Sequence, residues 1–425
     1  MKKEKDSKNT VLQKVATKYK SAVRRHDERK LINAEFINTS SAEANGADEP
    51  IELVAGGIDR TFLMLVIAIL IFGSIMSFSA SSVYAELYYD QSTYYLQNYI
   101  LFASISIIMT IAVLWVFKTP ERLKIFAISA YALSIFLLML VPVIGTSGGG
   151  AKRWISLGFF TIQPSEIAKM AVIMMLALYM SRHEKEITSP LKWHGNFKCG
   201  VIVPFMVFGS VCMLVALEKH ISGLLIIGMI GVAVMFFGGT RLKWLAIIFG
   251  TIAFCGLVLI VFSEYAQDRV LAWINIEADP LGSSWQTLQG LYAIGSGGFF
   301  GLGLGNSRQK FGYVSQPQND FVFTIICEEL GFIGALIVIG LFAAIVWRGF
   351  KIARNVPDKF CSLVVYGLTF KLALQAALNI AVVTNSIPNT GISLPFFSSG
   401  GTSLAIQIFE MGIILAISRY ATISK

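Results

Sequence analysis

Apolar residues along this chain come in blocks of about 20, the length an α-helix needs to cross roughly 30 Å of hydrocarbon. The blocks at 61–80, 95–117, 123–145, 166–180, 201–217, 221–239, 244–262, 321–347, 363–383 and 403–417 predict ten membrane-spanning helices. The fourth is short, so its helix is expected to begin a turn earlier. The expected fold class is therefore all-α: a polytopic integral membrane protein of about ten transmembrane helices. Residues 1–60 stand apart. Through Lys30 they carry eleven Lys/Arg against four acids, then turn polar and small, and they read as a disordered basic cytoplasmic tail that touches anionic lipid. No apolar stretch with a small-residue cleavage site follows that basic start, so it does not read as a signal peptide. Residues 61–425 form the membrane domain, with 263–320 as its large extracytoplasmic loop.

Composition narrows this further. Of 425 residues 55% are hydrophobic and 14% charged, and the mean hydropathy is +0.66. An ordinary water-soluble enzyme is excluded. The net charge of +9 is topological rather than a nucleic-acid footprint, because Lys and Arg collect on the cytoplasmic side of a membrane protein. With the N-terminus inside, cytoplasmic loops and the C-terminus hold fifteen Lys/Arg and the outer loops six: Lys152, Arg153, Lys219, Arg269, Arg308 and Lys310. Both termini are thus expected in the cytoplasm, and an even number of spans is required. Five cysteines in or beside apolar runs, with no Cys-x-x-Cys, predict neither a disulfide framework nor a zinc site.

The outward minority of cations is where chemistry is expected. Lys152/Arg153 and Arg308/Lys310 lie in glycine-rich segments, where backbone N–H groups could help cationic side chains hold a phosphate or pyrophosphate. Taken singly, each is equally an ordinary loop charge. Asp320 precedes a long apolar helix. It is either that helix's N-cap or a general base or cation holder at the membrane boundary. Charges also fall inside spans: Glu166, Lys169, Glu328, Glu329, Lys371 and Glu410. Each costs at least a few kcal/mol there, so pairing or a water-filled cavity is expected. Glu166 and Lys169 share a helical face, and Lys371, Gln375 and Asn379 form a polar stripe, as interhelical glue or a substrate path. The proline- and glycine-rich stretch 385–403 predicts a fixed outer turn walling a lipid groove. No P-loop, dinucleotide fingerprint or His-Glu-x-x-His competes.

These blocks carry a resemblance. Arg153-Trp154-Ile155-x-Leu157-Gly158, Gln163-Pro164-Ser165-Glu166-x-x-Lys169, Ala293-Ile294-Gly295-Ser296-Gly297-Gly298, Asn319-Asp320-Phe321-x-Phe323, Glu328-Glu329-Leu330-Gly331, Asn379-Ile380-x-Val382-Val383-Thr384 and Leu394-Pro395-Phe396 stand in this order from about Thr61 onward. The chain resembles the SEDS family of bacterial cell-wall polymerases (FtsW, RodA and SpoVE). The run Glu218-Lys219-His220-Ile221-Ser222-Gly223 and the variant Pro317-Gln318-Asn319-Asp320 are more like the division branch. The resemblance implies a peptidoglycan glycosyltransferase that polymerises lipid II on the outer face of the plasma membrane, at the division septum. Implied partners are a class B penicillin-binding protein, other divisome proteins and membrane lipids, with no nucleic acid. Asp320 aligns with the family's essential aspartate, and Lys152, Arg153, Arg308, Lys310 and Gln316 become the candidate substrate contacts. Glu166, Lys169, Glu328, Glu329 and Lys371 support them. No cofactor is required by these motifs, though a divalent cation, Mg or Mn, could be held at Asp320. Gln316 replaces a frequent glutamate, Ser399 a usual tyrosine, and Asn385 and Asn389 more typical turn residues. A lipid II flippase and a non-catalytic scaffold that activates its penicillin-binding partner are the competing readings.

Overall fold

A computed structural model describes residues 56–421 except 149–150, 157, 159–160, 189–195, 219, 263, 278–281, 283 and 399. Most of the basic tail and Ser399 therefore lie outside the described residues. Helices dominate: α1 Arg60–Tyr89, α2 Tyr94–Val116, α3 Pro120–Ile144, α4 Pro164–Arg182, α5 Val203–Leu217, α6 Ile221–Phe237, α7 Leu242–Phe262, α8 Glu264–Ile274, α9 Trp285–Gly297, α10 Val322–Asn355, α11 Lys359–Val383 and α12 Gly401–Ile417. Eight are long and apolar enough to cross a membrane, α5 counting the π-turn Lys198–Ile202 that leads into it; Ile221–Phe237 and Leu242–Val258 are shorter apolar helices. Together they fill the ten positions that the apolar blocks predict. The fourth span does begin earlier, at Pro164, whose missing N–H suits a first helical turn. Local signals set other boundaries. Asp59 and Asp358 cap α1 and α11 by accepting from the N–H groups of Phe62 and Cys361, both at 2.8 Å.

The helices are not equivalent. In α4, α11 and α12, 78%, 67% and 72% of the spanning window is buried, against 17–33% in the other five long spans. Those three carry Glu166, Lys169, Lys371 and Glu410. Buried charge therefore sits at the centre of the bundle, while apolar side chains such as Met64, Ile108, Ile111 and Phe136 face outward. Lys169 Nζ meets Glu166 Oε1 at 2.6 Å, and Lys371 Nζ meets Glu410 Oε1 at 2.5 Å. The two pairs also feel each other's charge. The polar stripe of α11 is thus directed inward as expected, with Lys371, Gln375 and Asn379 all buried. Further toward the tail, Arg348 of α10 pairs with Asp59 at 2.8 Å, tying two helices together.

The stretch after α3, the glycine-rich segment of Lys152 and Arg153, contains a small antiparallel sheet. It comprises β1 Thr146–Gly148, β2 Ala151–Ser156 and β3 Thr161–Ile162, in the order β1-β2-β3. Ser147 stands opposite Lys152, and Ile155 opposite Ile162.

The large loop is docked by a break in α10. At Gly331 the backbone turns to φ 66° and ψ −162°, a region open to glycine. Carbonyls of Glu328 and Glu329 consequently accept from the N–H groups of Leu302 and Gly303, each at 2.9 Å, and Phe332 N–H donates to the Gly298 carbonyl at 2.9 Å. The loop thereby satisfies the backbone groups that the break releases. Such backbone-to-backbone approach leaves no room for side chains: a Cβ on Gly301 would collide with the Glu329 carbonyl. Gly297 and Gly301 thus serve close packing of the loop onto a helix. Gly301→Ala is expected to destabilise the protein by several kcal/mol, through collision and its φ of +77°. Gly295→Ala, in α9 with open space around it, should be neutral or gain up to about 1 kcal/mol from helix propensity. Thermal unfolding in detergent checks both.

Candidate active site

Asp320 closes the large loop, in the turn that enters α10. Its backbone carbonyl accepts from Asn379 Nδ2 at 2.7 Å, and the same amide group reaches the Ile392 carbonyl at 2.7 Å. One buried carboxamide therefore joins the loop, α11 and the outer turn. Gly391 of that turn, at φ +63°, lies where a Cβ would be 3.6 Å from Asp320 Oδ2. The N-cap alternative is not what the structure displays: the N-cap position is Phe321, and no side chain caps α10. The half-buried carboxyl is displaced from 3.8 to about 6 by loss of hydration, against the opposing pull of its own backbone N–H and of Arg269. That range suits a general base near neutral pH. Arg269 lies on α8 and donates to the Asn389 carbonyl.

The candidate cations divide by environment. Lys152 is exposed and Arg153 half-buried on β2, while Arg308 is exposed. Lys310 is buried; its Nζ meets Glu329 Oε1 at 3.1 Å and the Gly305 carbonyl at 2.6 Å. The backbone N–H groups in this stretch are engaged as well. Glu328 accepts from Arg308 N–H at 2.9 Å and from Ser307 Oγ at 2.5 Å, and Glu329 accepts from Ser79 Oγ at 2.6 and 2.8 Å. Glu328 and Glu329 thus hold the loop from below, leaving the Arg308 side chain facing outward. Gln316, exposed at φ 50°, accepts from Asn319 Nδ2 at 2.8 Å within the Asp320 turn. Glu166 and Lys169 lie in α4, near Lys371 of α11 and separate from Glu328 and Glu329.

Three residues beyond the candidates join this face. Arg269 could be found only as an outward cation. Glu218 and His220 are two titratable residues between two spans. Glu218 is buried and neither carboxylate oxygen has a hydrogen-bond partner. Burial pushes its carboxyl up to about 7 despite Arg153, and burial together with Arg153 pushes His220 down to about 4. Arg153 is accordingly near enough for its charge to act on Glu218 and His220. Among the described residues no group of three or more His, Cys, Asp or Glu could hold a metal ion. A divalent ion at Asp320 would have one protein carboxylate and would need the substrate's phosphate oxygens to complete its shell, a common arrangement for magnesium.

The family model for FtsW, RodA and SpoVE, described as cell cycle protein, matches residues 59–423. The chain belongs to this family. It is 36% identical over 369 residues to stage V sporulation protein E of Bacillus subtilis, covering 85% of this chain and 97% of the relative. It is 35% identical over 362 residues to a protein of Trichlorobacter lovleyi named probable peptidoglycan glycosyltransferase FtsW, covering 85% and 93%. Within the SEDS family the chain is FtsW-like. A chain from the solved structure of a peptidoglycan synthase complex that coordinates polymerization and crosslinking superimposes with a TM-score of 0.69 at 26% identity, over 85% of this chain and 98% of that one. The rod shape determining protein RodA of Thermus thermophilus has the same fold, with a TM-score of 0.63 at 24% identity over 88% and 100%.

Two outcomes follow from the electrostatics. If Asp320 acts as base it must be ionised, so kcat/KM should fall as pH drops through about 6. Removing the Arg269 cation by Arg269→Gln should move that limb to higher pH, as a pH–rate profile will report. Glu218, whose ionised form is disfavoured in the folded state, costs stability as pH rises from about 4.5 past 7. Glu218→Gln should therefore stabilise the protein at pH 8, by up to about 3 kcal/mol, and change little at pH 4. Thermal unfolding in detergent at the two pH values reads the difference.

Proposed function

We propose that this protein is a peptidoglycan glycosyltransferase that polymerises lipid II on the outer face of the plasma membrane, in septal wall synthesis during division. The observation that carries this is the half-buried Asp320 carboxyl, raised to about 6, at the foot of the large loop beside Arg269. Its family membership supports the same chemistry, since FtsW relatives are named as peptidoglycan glycosyltransferases.

In the reaction Asp320 takes the proton from an acceptor sugar hydroxyl. The freed oxygen forms a bond to the anomeric carbon of a second lipid-linked saccharide, from the face opposite the leaving group. The bond from that carbon to the phosphate oxygen breaks, with inversion, and undecaprenyl pyrophosphate departs with the electron pair. Positioning and charge neutralisation supply most of the acceleration, because pyrophosphate leaves readily once its charge is held. Lys152, Arg153 and Arg308 are the cations assigned to that task. Lys310, paired with Glu329, acts by holding the loop that presents Arg308. A class B penicillin-binding protein cross-links the product, a pairing supported by the likeness to a synthase complex that couples the two steps.

The test is purification with the cognate penicillin-binding protein, addition of labelled lipid II, and gel separation of glycan products. Native protein should make glycan ladders and Asp320→Asn should lose at least about a hundredfold in rate, a general base contributing roughly 10²–10⁴. Equal polymer from both proteins would overturn the assignment of Asp320. Lipid II translocation in liposomes without polymer would favour the flippase, and partner activation without either would favour the scaffold.

A further inference from the structure

A cavity of about 300 Å³ lies between α8, the start of α9 and the outer turn, lined by Asp268, Arg269, Trp273, Gln286, Asn385 and Asn389 among others. Its walls are laced together. Trp273 Nε1 donates to the Asn385 carbonyl at 3.0 Å, Asn385 Nδ2 to the Trp273 carbonyl at 3.5 Å, and Arg269 to the Asn389 carbonyl. Gln286 Nε2 reaches the Ser315 carbonyl at 2.8 Å, fixing α9 to the chain that leads to Asp320. Asp320 lies outside this lining but near it: Arg269 acts on the Asp320 charge, and Asn389 is two residues from Gly391, where a Cβ would be 3.6 Å from Asp320 Oδ2.

The lining selects among the three parts of a lipid-linked saccharide. A polyprenyl chain needs apolar walls, and here they carry three carboxamides, a carboxylate and a guanidinium. A pyrophosphate needs an excess of cations, whereas Arg269 is balanced by Asp268. Neutral amides that both donate and accept, beside an indole, suit a neutral polyhydroxylated ring bearing an amide. The volume is at the lower end of the roughly 300–1,000 Å³ range of small-molecule sites, so it accommodates one ring rather than a whole precursor.

Resting on the polymerase reading above, we propose that this cavity is the acceptor-sugar subsite, in which Asn385 and Asn389 recognise the acetamido group of the terminal hexosamine while a ring hydroxyl is presented to Asp320. Asn385 adopts φ 55°, a conformation asparagine tolerates better than most residues.

The test uses the full-length protein with its penicillin-binding partner and two substrates: lipid II, and lipid II whose terminal sugar has a hydroxyl in place of the acetamido group. The native complex should prefer lipid II by about tenfold or more in kcat/KM, the scale of one well-made amide hydrogen bond. In Asn385→Gly/Asn389→Ala the KM for lipid II should rise about tenfold and the preference should vanish, with kcat changed less than threefold. Saturation-transfer NMR on the Asp320→Asn complex, with short-chain lipid II as probe, should place the acetamido methyl in contact with protein, and the two substitutions should abolish that signal. A variant that retains the preference, or loses kcat with KM and preference unchanged, would overturn the proposal. If the native complex makes no polymer, the polymerase reading fails, and the NMR contact alone decides the subsite: its persistence in the doubly substituted protein would overturn it. Glycine at 385 fits the positive φ, and thermal unfolding of the variant verifies folding.

Discussion

A charge inside a hydrocarbon-embedded bundle must find a partner, because the low dielectric penalises an isolated ion by several kcal/mol. Glu328 and Glu329 illustrate the consequence. Two adjacent carboxylates in α10 collect Ser79, Ser307, the Arg308 N–H and Lys310, so the large outer loop is drawn onto the helix where its backbone breaks at Gly331. Backbone groups released by that break and side-chain charges beside it are met by the same stretch of chain. The loop that carries Asp320 therefore begins from a fixed base.

A second buried network does the same for the centre of the bundle. Lys371–Glu410 joins α11 to α12, and the Glu166–Lys169 pair within α4 feels their charge, in the three spans least exposed at the surface. Further along α11, Asn379 continues the stripe to the outer surface and holds the Asp320 turn. The Lys371–Glu410 pair and the Asn379 amide act as ties between elements beneath the outer face. Arg269 and the outer turn then complete the surroundings of the Asp320 carboxyl.

Much of the architecture was legible in advance for simple reasons. Hydrocarbon thickness sets helix length, so the ten apolar blocks could be counted, and the polar stripe at every fourth residue of α11 had to face inward. The motif around Asp320 located the candidate base. The sheet in the loop after α3 was not legible, because its three short strands are held mainly by pairing with one another rather than by a long alternating pattern. The division of labour between Arg308 and Lys310 was also hidden. Two residues apart in one glycine-rich run, they look alike until tertiary contacts bury one against Glu329 and leave the other exposed.

By itself the sequence determined the membrane class, the number and order of spans, the family and the position of the candidate base, because these depend on composition, period and contiguous motifs. Only the tertiary structure decided which charges are structural and which face the outer cavity, that Asp320 does not cap its helix, and that Arg269, Trp273, Asn385 and Asn389 share one cavity. The cavity joins residues more than a hundred positions apart, and burial and pairing across such distances arise only when helices and loop are packed together.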